Sequence, residues 1–418
     1  MALFNKQISL VLLSALACLS GVLPPAFAEV QLQNTRVWKR ANVISPGQKV
    51  WAFQAGSQNS STRYATDGQV EPLGRQYAQV LRWKELVGAE ESKAGQAELQ
   101  NYMKANRLDD NDIAATSNYE VTRRETGFAM DWAYGLGENW MVGFQLPITY
   151  RETEVSTRIG MTPQLVNLAS QPLKVSSVGT ASSTPAMQEK LSQLAQQELS
   201  NSGYDNIPNQ NNSWDWGDVS LLNQLELAET YRWTWAVQQL VRFPTARNNN
   251  LADYIQTSDD QGQVDLGLSS IVDYEVRRWL IGARLGYVMQ MPDTVKMRVP
   301  STDGGDDTIS PEIKRDLGDW VWAAVDAELR VTRALDLNVE YGFLSKAKDR
   351  YSRDELNDQA AAQEIHQSRV GMQYRIGEVS TRSGIESKWV AAVGYTFPWQ
   401  GRNSLDSSRT SVDVITYF

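Results

Sequence analysis

The chain has 418 residues, with 49 acidic against 40 basic side chains, one cysteine and one histidine. A formal charge of −9 argues against nucleic-acid binding through bulk charge. The cysteine and histidine counts exclude a disulfide framework and a metal centre built from clustered cysteines or histidines.

Mean hydropathy is −0.42, yet the chain holds 14 Trp, 16 Tyr and 9 Phe. Aromatic wealth in a polar chain suits a membrane β-barrel with aromatic girdles and a wet interior. No stretch after residue 28 is long and apolar enough for a transmembrane helix.

Residues 1–28 read as a secretory signal: Lys6 gives the basic start, Ile8 to Leu23 the apolar run, and Ala26-Phe27-Ala28 the cleavage site. Cys18 falls inside it. Residues 29–45 read as a periplasmic N-terminal segment, and 46–418 as the barrel. Trp51, Phe53 and Ala55 follow Pro46-Gly47 as a first strand. A long loop over 65–117 comes next, rich in helix formers between Gln76 and Lys104.

The clearest hairpin follows. Phe128, Met130, Trp132 and Tyr134 alternate with Gly127, Ala129, Asp131 and Ala133. After a turn at 135–139, Trp140, Val142, Phe144, Leu146, Ile148 and Tyr150 alternate with smaller or polar residues. Period 2 over about ten residues is what a tilted strand needs to cross a bilayer. The long loop 156–215 contains a predicted helix from Pro185 to Gly203.

The alternation then recurs through Val219–Leu227 (interrupted by Asn223), Trp233–Phe243 (interrupted by Gln239), Val264–Tyr274, Trp279–Met289, Val321–Val331, Leu335–Phe343, Val370–Ile376 and Trp389–Trp399. It closes on Arg409–Phe418. Val412, Val414, Thr416 and Phe418 share one face, and Ser411, Asp413, Ile415 and Tyr417 the other. Alternate connections are short (135–139, 230–232, 277–278, 333–334, 377–386) and the rest long. The expected fold is therefore all-β: a transmembrane antiparallel up-and-down barrel of about 12 strands, with long, partly helical extracellular loops.

If the apolar face meets lipid, the intervening residues face the lumen. Arg123, Glu125, Asp131, Arg151, Asp218, Glu226, Arg242, Asp265, Asp273, Arg284, Asp326, Glu328, Arg330, Asp336, Glu340, Arg369, Arg375 and Lys388 then collect inside. The near balance of signs predicts cross-strand pairing rather than an ion-selective pore. Inward glycines such as Gly127, Gly143, Gly267, Gly282, Gly286 and Gly371 are expected to leave room for passage. The candidate ligand or lumen residues are Arg123, Asp131, Arg151, Glu226, Arg242, Arg284, Trp320, Trp322, Asp326, Glu328, Arg330 and Arg375. Trp132, Trp140, Tyr150, Trp233, Trp279, Tyr287, Trp389 and Trp399 lie near strand ends, where membrane girdles belong.

His366-Gln367-Ser368 places a histidine and a serine on one strand face, the spacing that outer-membrane phospholipase A uses. No orienting Asn accompanies it, and no catalytic residue, metal or cofactor is expected. Asp303-Gly-Gly-Asp306-Asp307 and Asp109-Asp110-Asn111-Asp112 read as solvated loop tips.

Several motifs carry a resemblance: Pro46-Gly-Gln-Lys-Val-Trp51, Trp132-Ala-Tyr-Gly-Leu-Gly-Glu-Asn-Trp140 leading to Leu146-Pro147-Ile148, Trp216-Gly-Asp-Val-Ser220, Arg242-Phe-Pro-Thr245 and Gly262-Gln-Val-Asp-Leu-Gly-Leu268. Over most of 46–418 the chain resembles the meta-pathway of phenol degradation family. That resemblance implies an outer-membrane barrel passing small, often aromatic or hydrophobic, molecules. The insertions at 65–117 and 156–215 depart from its compact pattern.

The expected location is the bacterial outer membrane. Expected partners are its lipid and lipopolysaccharide, a small-molecule solute, and the barrel-assembly machinery through the C-terminal Phe418. The expected function is a channel for small molecules. The alternatives are a non-transporting surface barrel whose loops bind partners, and a lipid hydrolase.

Overall fold

The computed structural model describes residues 36–77, 79–88, 93–169, 211–246, 263–299, 308–354, 356, 361–377, 379–381, 384–386 and 388–418. The signal-like stretch, the predicted helix Pro185–Gly203, most of loop 246–261 and the Asp303–Asp307 run lie outside them.

A single helical turn, α1 (Arg36–Lys39), precedes twelve barrel strands: β1 (Lys49–Ser60), β2 (Ile113–Gly137), β3 (Trp140–Met161), β4 (Val219–Glu229), β5 (Trp233–Phe243), β6 (Asp265–Val276), β7 (Trp279–Gln290), β8 (Trp320–Arg330), β9 (Leu335–Lys346), β10 (Gln363–Ile376), β11 (Trp389–Arg402) and β12 (Arg409–Tyr417). Each pairs antiparallel with its sequence neighbour. β12 then pairs with β1 from Val50↔Tyr417 to Gln58↔Arg409, which closes the sheet and removes both edges. The seam ends in a reciprocal pair: Phe418 N–H donates to Lys49 O at 2.9 Å, and Lys49 N–H to Phe418 O at 3.2 Å.

The first strand is set by Pro46-Gly47. Gly47 adopts φ +80°, the left-handed value a type II turn requires at its third residue. Gln48 N–H closes that turn on Ser45 O at 3.0 Å. Once the turn fixes register, period-2 alternation does the rest. On β7, Trp279, Ile281, Ala283, Leu285, Tyr287 and Met289 point outward, while Gly282, Arg284, Gly286, Val288 and Gln290 point inward and are buried. The outward belt is apolar, as a wall solvated by acyl chains must be.

The short connections lie at one end, although 377–386 carries a small hairpin of its own (Val379–Thr381 with Gly384–Glu386). At the other end β2 and β3 run 25 and 22 residues, more than twice what a bilayer requires. The excess forms a ribbon above the membrane. Gln79–Arg82 pairs with β2 on one flank, and Asn211–Trp216 with β3 on the other.

Three helices dress that ribbon: α2 (Trp83–Gly88), α3 (Lys93–Ala105) and α4 (Pro163–Ala169). Trp83, Leu86, Leu99, Tyr102, Met103, Leu165 and Leu168 share one apolar cluster with Ala114 and Ala115 of β2. The helix-rich reading of Gln76–Lys104 thus resolves into a strand and two helices. These form a small outer core with the start of the second long loop. The acidic Asp109–Asp112 run is a self-capped turn, with Asp109 N–H donating to Asp112 Oδ2 at 2.7 Å.

Residues 36–45 depart from the periplasmic segment expected over 29–45. They run inside the barrel, rising from the short-turn end at Ser45 toward mid-lumen at Trp38. The cause is chemical: this stretch carries cations and a tryptophan, and the barrel offers carboxylates and an apolar patch to receive them.

Candidate functional site

The site is the lumen together with the segment that fills it. Trp38 is 1 % exposed. It clusters with Val37 and with inward side chains of ten strands, among them Met141, Leu222, Leu240, Val288, Trp320 and Leu344. Burying one indole contributes on the order of 5 kcal/mol before the entropy of ordering the segment is subtracted. Gln238 Nε2 donates to Trp38 O at 3.4 Å, and Gln224 Nε2 to Arg40 O at 2.8 Å. Ala41 packs on Ala236 and Ile271, and its N–H donates to Asp273 Oδ2 at 2.7 Å.

Two cations of the segment meet carboxylates of the wall. Arg40 reaches Asp326 at 2.8 Å, Glu328 at 3.2 Å and Asp273 at 3.3 Å. Lys39 Nζ reaches Glu340 at 2.7 Å. Burial pulls the Lys39 ammonium down to about 8 despite Glu340, with Arg369 and Arg284 adding to the depression. For Arg40, burial acts the same way, but three carboxylates outweigh it and hold the guanidinium above its ordinary value.

The candidate residues fall into three groups and three separate positions. Arg284, Asp326, Glu328, Arg330 and Arg375 form one network at the level of Arg40. Arg284 bridges Glu340 at 3.1 Å and Asp326 at 3.7 Å. Arg375 bridges Glu328 at 3.1 Å and also Asp336, and Arg330 stands at the rim 4.0 Å from Asp336. Nearer the outer mouth, Arg123 and Arg151 converge on Glu125, Arg151 at 3.2 Å. On a third arc, Arg242 pairs with Asp265 at 3.1 Å and lies over the Trp320 ring at 5.9 Å, while Trp320 Nε1 donates to Gln290 at 2.8 Å. Asp131 and Glu226 are buried in the wall, and Trp322 packs across Gly286.

The inward glycines do not leave an open lane. A Cβ on Gly143 would stand 2.6 Å from the Trp38 ring, one on Gly282 2.8 Å from Arg40, and one on Gly371 2.7 Å from Asn338. A Cβ on Gly286 would overlap the Trp322 ring. These positions are seats for large neighbours, which corrects the expectation that they mark the passage.

Sequence reasoning also missed the segment's anchors, and a signal for them existed. On β6, β8 and β9 the inward carboxylates Asp273, Asp326, Glu328, Asp336 and Glu340 outnumber the arginines Arg284, Arg330 and Arg375 that meet them. The deficit of two is met by Lys39 and Arg40. The apolar inward patch was also visible, where alternation breaks into doublets: Leu221-Leu222, Leu240-Val241, Val288-Met289 and Phe343-Leu344.

His366 and Ser368 lie on the outward face of β10. The imidazole is engaged at both nitrogens, by Tyr341 Oη at 2.8 Å and Glu364 Oε1 at 2.9 Å, and packs between Phe343 and Trp399. It belongs to an aromatic girdle.

No family model matches the chain, and no curated protein is similar to it in sequence. The resemblance to the meta-pathway of phenol degradation family therefore stands on its short motifs alone. In fold the chain is similar to the COG4313 outer membrane channel from Pseudomonas putida F1, at TM-score 0.51 and 8% identity over 94% of this chain and 100% of that one. The translocator domain of the autotransporter NalP from Neisseria meningitidis (TM-score 0.40, 8% identity, 89% and 88% covered) and the Pseudomonas putida toluene transporter TodX (0.35, 8%, 94% and 95%) match more loosely and carry no argument. At such identities the likeness is one of fold, and with the closed twelve-strand sheet and its apolar outer belt it identifies a β-barrel of the bacterial outer membrane.

Proposed function

We propose that this barrel is a gated channel for small apolar or aromatic molecules, closed at rest by its own segment around Trp38. The observation that carries the reading is the apolar patch inside the lumen. Leu222, Leu240, Val288 and Leu344 are buried against Val37 and Trp38 in an otherwise polar, charge-paired interior. A water-filled ion pore has no use for such a patch, whereas an apolar solute moving along the wall would take the place of the indole. Withdrawal of the segment exposes that surface and frees the carboxylates that hold Arg40.

The test is uptake of single-ring aromatic solutes into liposomes carrying the folded protein. Flux is expected to be low for the parent and to rise severalfold in Arg40→Gln, which keeps a polar side chain but removes its charge. Absence of flux in both proteins would remove the channel reading. It would instead favour a non-transporting surface barrel, for which the packed outer core of α2, α3 and α4 is the supporting observation.

A further inference from the structure

Between its aromatic girdles the outward wall is largely apolar, and its polar side chains concentrate on three adjacent strands. β4 places Asn223, β5 Gln239 and β6 Ser270 toward lipid. Asn223 and Gln239 are direct register partners. Asn223 Nδ2 donates to Gln239 Oε1 at 3.0 Å, and Asn223 Oδ1 accepts from Trp140 Nε1. Trp235 Nε1 donates to Ser270 Oγ at 2.9 Å. Among the described residues, no other strand turns a carboxamide outward at this depth.

The depth makes this costly. On β5, Gln239 stands six residues above Trp233 and four below Phe243. At about 3.3 Å per residue and a tilt of about 40°, that is roughly 15 Å up an apolar band about 25 Å tall, near its middle. Acyl chains cannot accept a hydrogen bond there. Gln239 Oε1 is taken by Asn223, and among the described residues its Nε2 donates to no acceptor.

We propose that this face is a self-association surface, and that its occupant is a second copy of the same chain. A carboxamide carries both donor and acceptor, so a two-fold axis near Gln239 lets each copy's Nε2 donate to the other's Asn223–Gln239 pair. Exposed Leu221, Leu225 and Leu268 flank the amides and supply the apolar packing that an interface in lipid relies on. The outer face involved is separate from the lumen, so this proposal stands or falls independently of the channel reading.

Three variants test it. Gln239→Cys, in a chain also carrying Cys18→Ala, is expected to crosslink to a dimer under oxidation. A cysteine replacing Val339 on another part of the wall is expected to remain monomeric. The double variant Asn223→Leu/Gln239→Leu is expected to fold normally, judged by heat-modifiable migration, and to self-associate about tenfold more weakly by sedimentation. A parent that stays monomeric, equal crosslinking at 239 and 339, or unchanged association in the double variant would each overturn the proposal and leave the patch to lipid.

Discussion

Arg40 concentrates the energetics of the closed lumen, because three buried carboxylates depend on it. Removing one partner from such a set leaves uncompensated charge, which costs about 3–5 kcal/mol where water cannot enter. Arg40→Gln is therefore expected to lower the melting temperature of the docked segment, read by protease access to residues 36–45. Lys39 gives a pH signature. Its docked pKa of about 8 lies below the ordinary 10.5, so between those values the released segment binds the proton more tightly. Docking should strengthen as pH rises from 8 toward 10.5, with the open fraction falling; below 8 this group contributes no slope. Open probability measured across that range should show the slope in the parent and lose it in Lys39→Met. Trp38→Ala is the steric counterpart: it empties the buried seat of the indole, so solute flux should rise with every ion pair still in place.

At the scale of elements, most of the fold was legible because lipid and lumen impose opposite demands on alternate residues. The twelve strands, their short turns and the closure by β12 follow from that period. It also yields a prediction. Val339→Arg, on the outward face near mid-membrane, should cost about 2–4 kcal/mol of barrel stability in denaturant titration, and Val339→Leu should cost nothing measurable. The upper parts of β2 and β3 were underestimated, because above the membrane both faces turn polar and the period no longer announces a strand. Arg124, Glu152 and Glu154 face outward there as ion partners. The helices α2, α3 and α4 hold their own core, so Trp83→Ala should loosen that outer unit by about 3–5 kcal/mol in hydrogen exchange while the barrel strands keep their protection.

For the whole molecule, the consequential difference between sequence and structure lies in ten residues before the first strand. Their sequence has no period, since α1 is a single turn and the rest has no regular secondary structure. Their destination is written instead in a charge deficit spread over strands more than 200 residues away. Pairwise balance along the lumen concealed it, and only the local excess on β6, β8 and β9 reveals the place for Lys39 and Arg40. The glycines misled for a related reason: a missing side chain signals space, but not whether a distant segment already fills it. Together these features describe a barrel whose lumen is occupied by a segment of its own chain.

The most direct test of that description uses the packed trio of Ala41, Ala236 and Ile271. With Cys18→Ala as background, cysteines replacing Ala41 and Ala236 would tie the segment to β5 when oxidised. Uptake of a single-ring aromatic solute into liposomes should then vanish on oxidation and return on reduction. Flux indifferent to the crosslink would contradict the account, because solute would then pass while the segment stays in place.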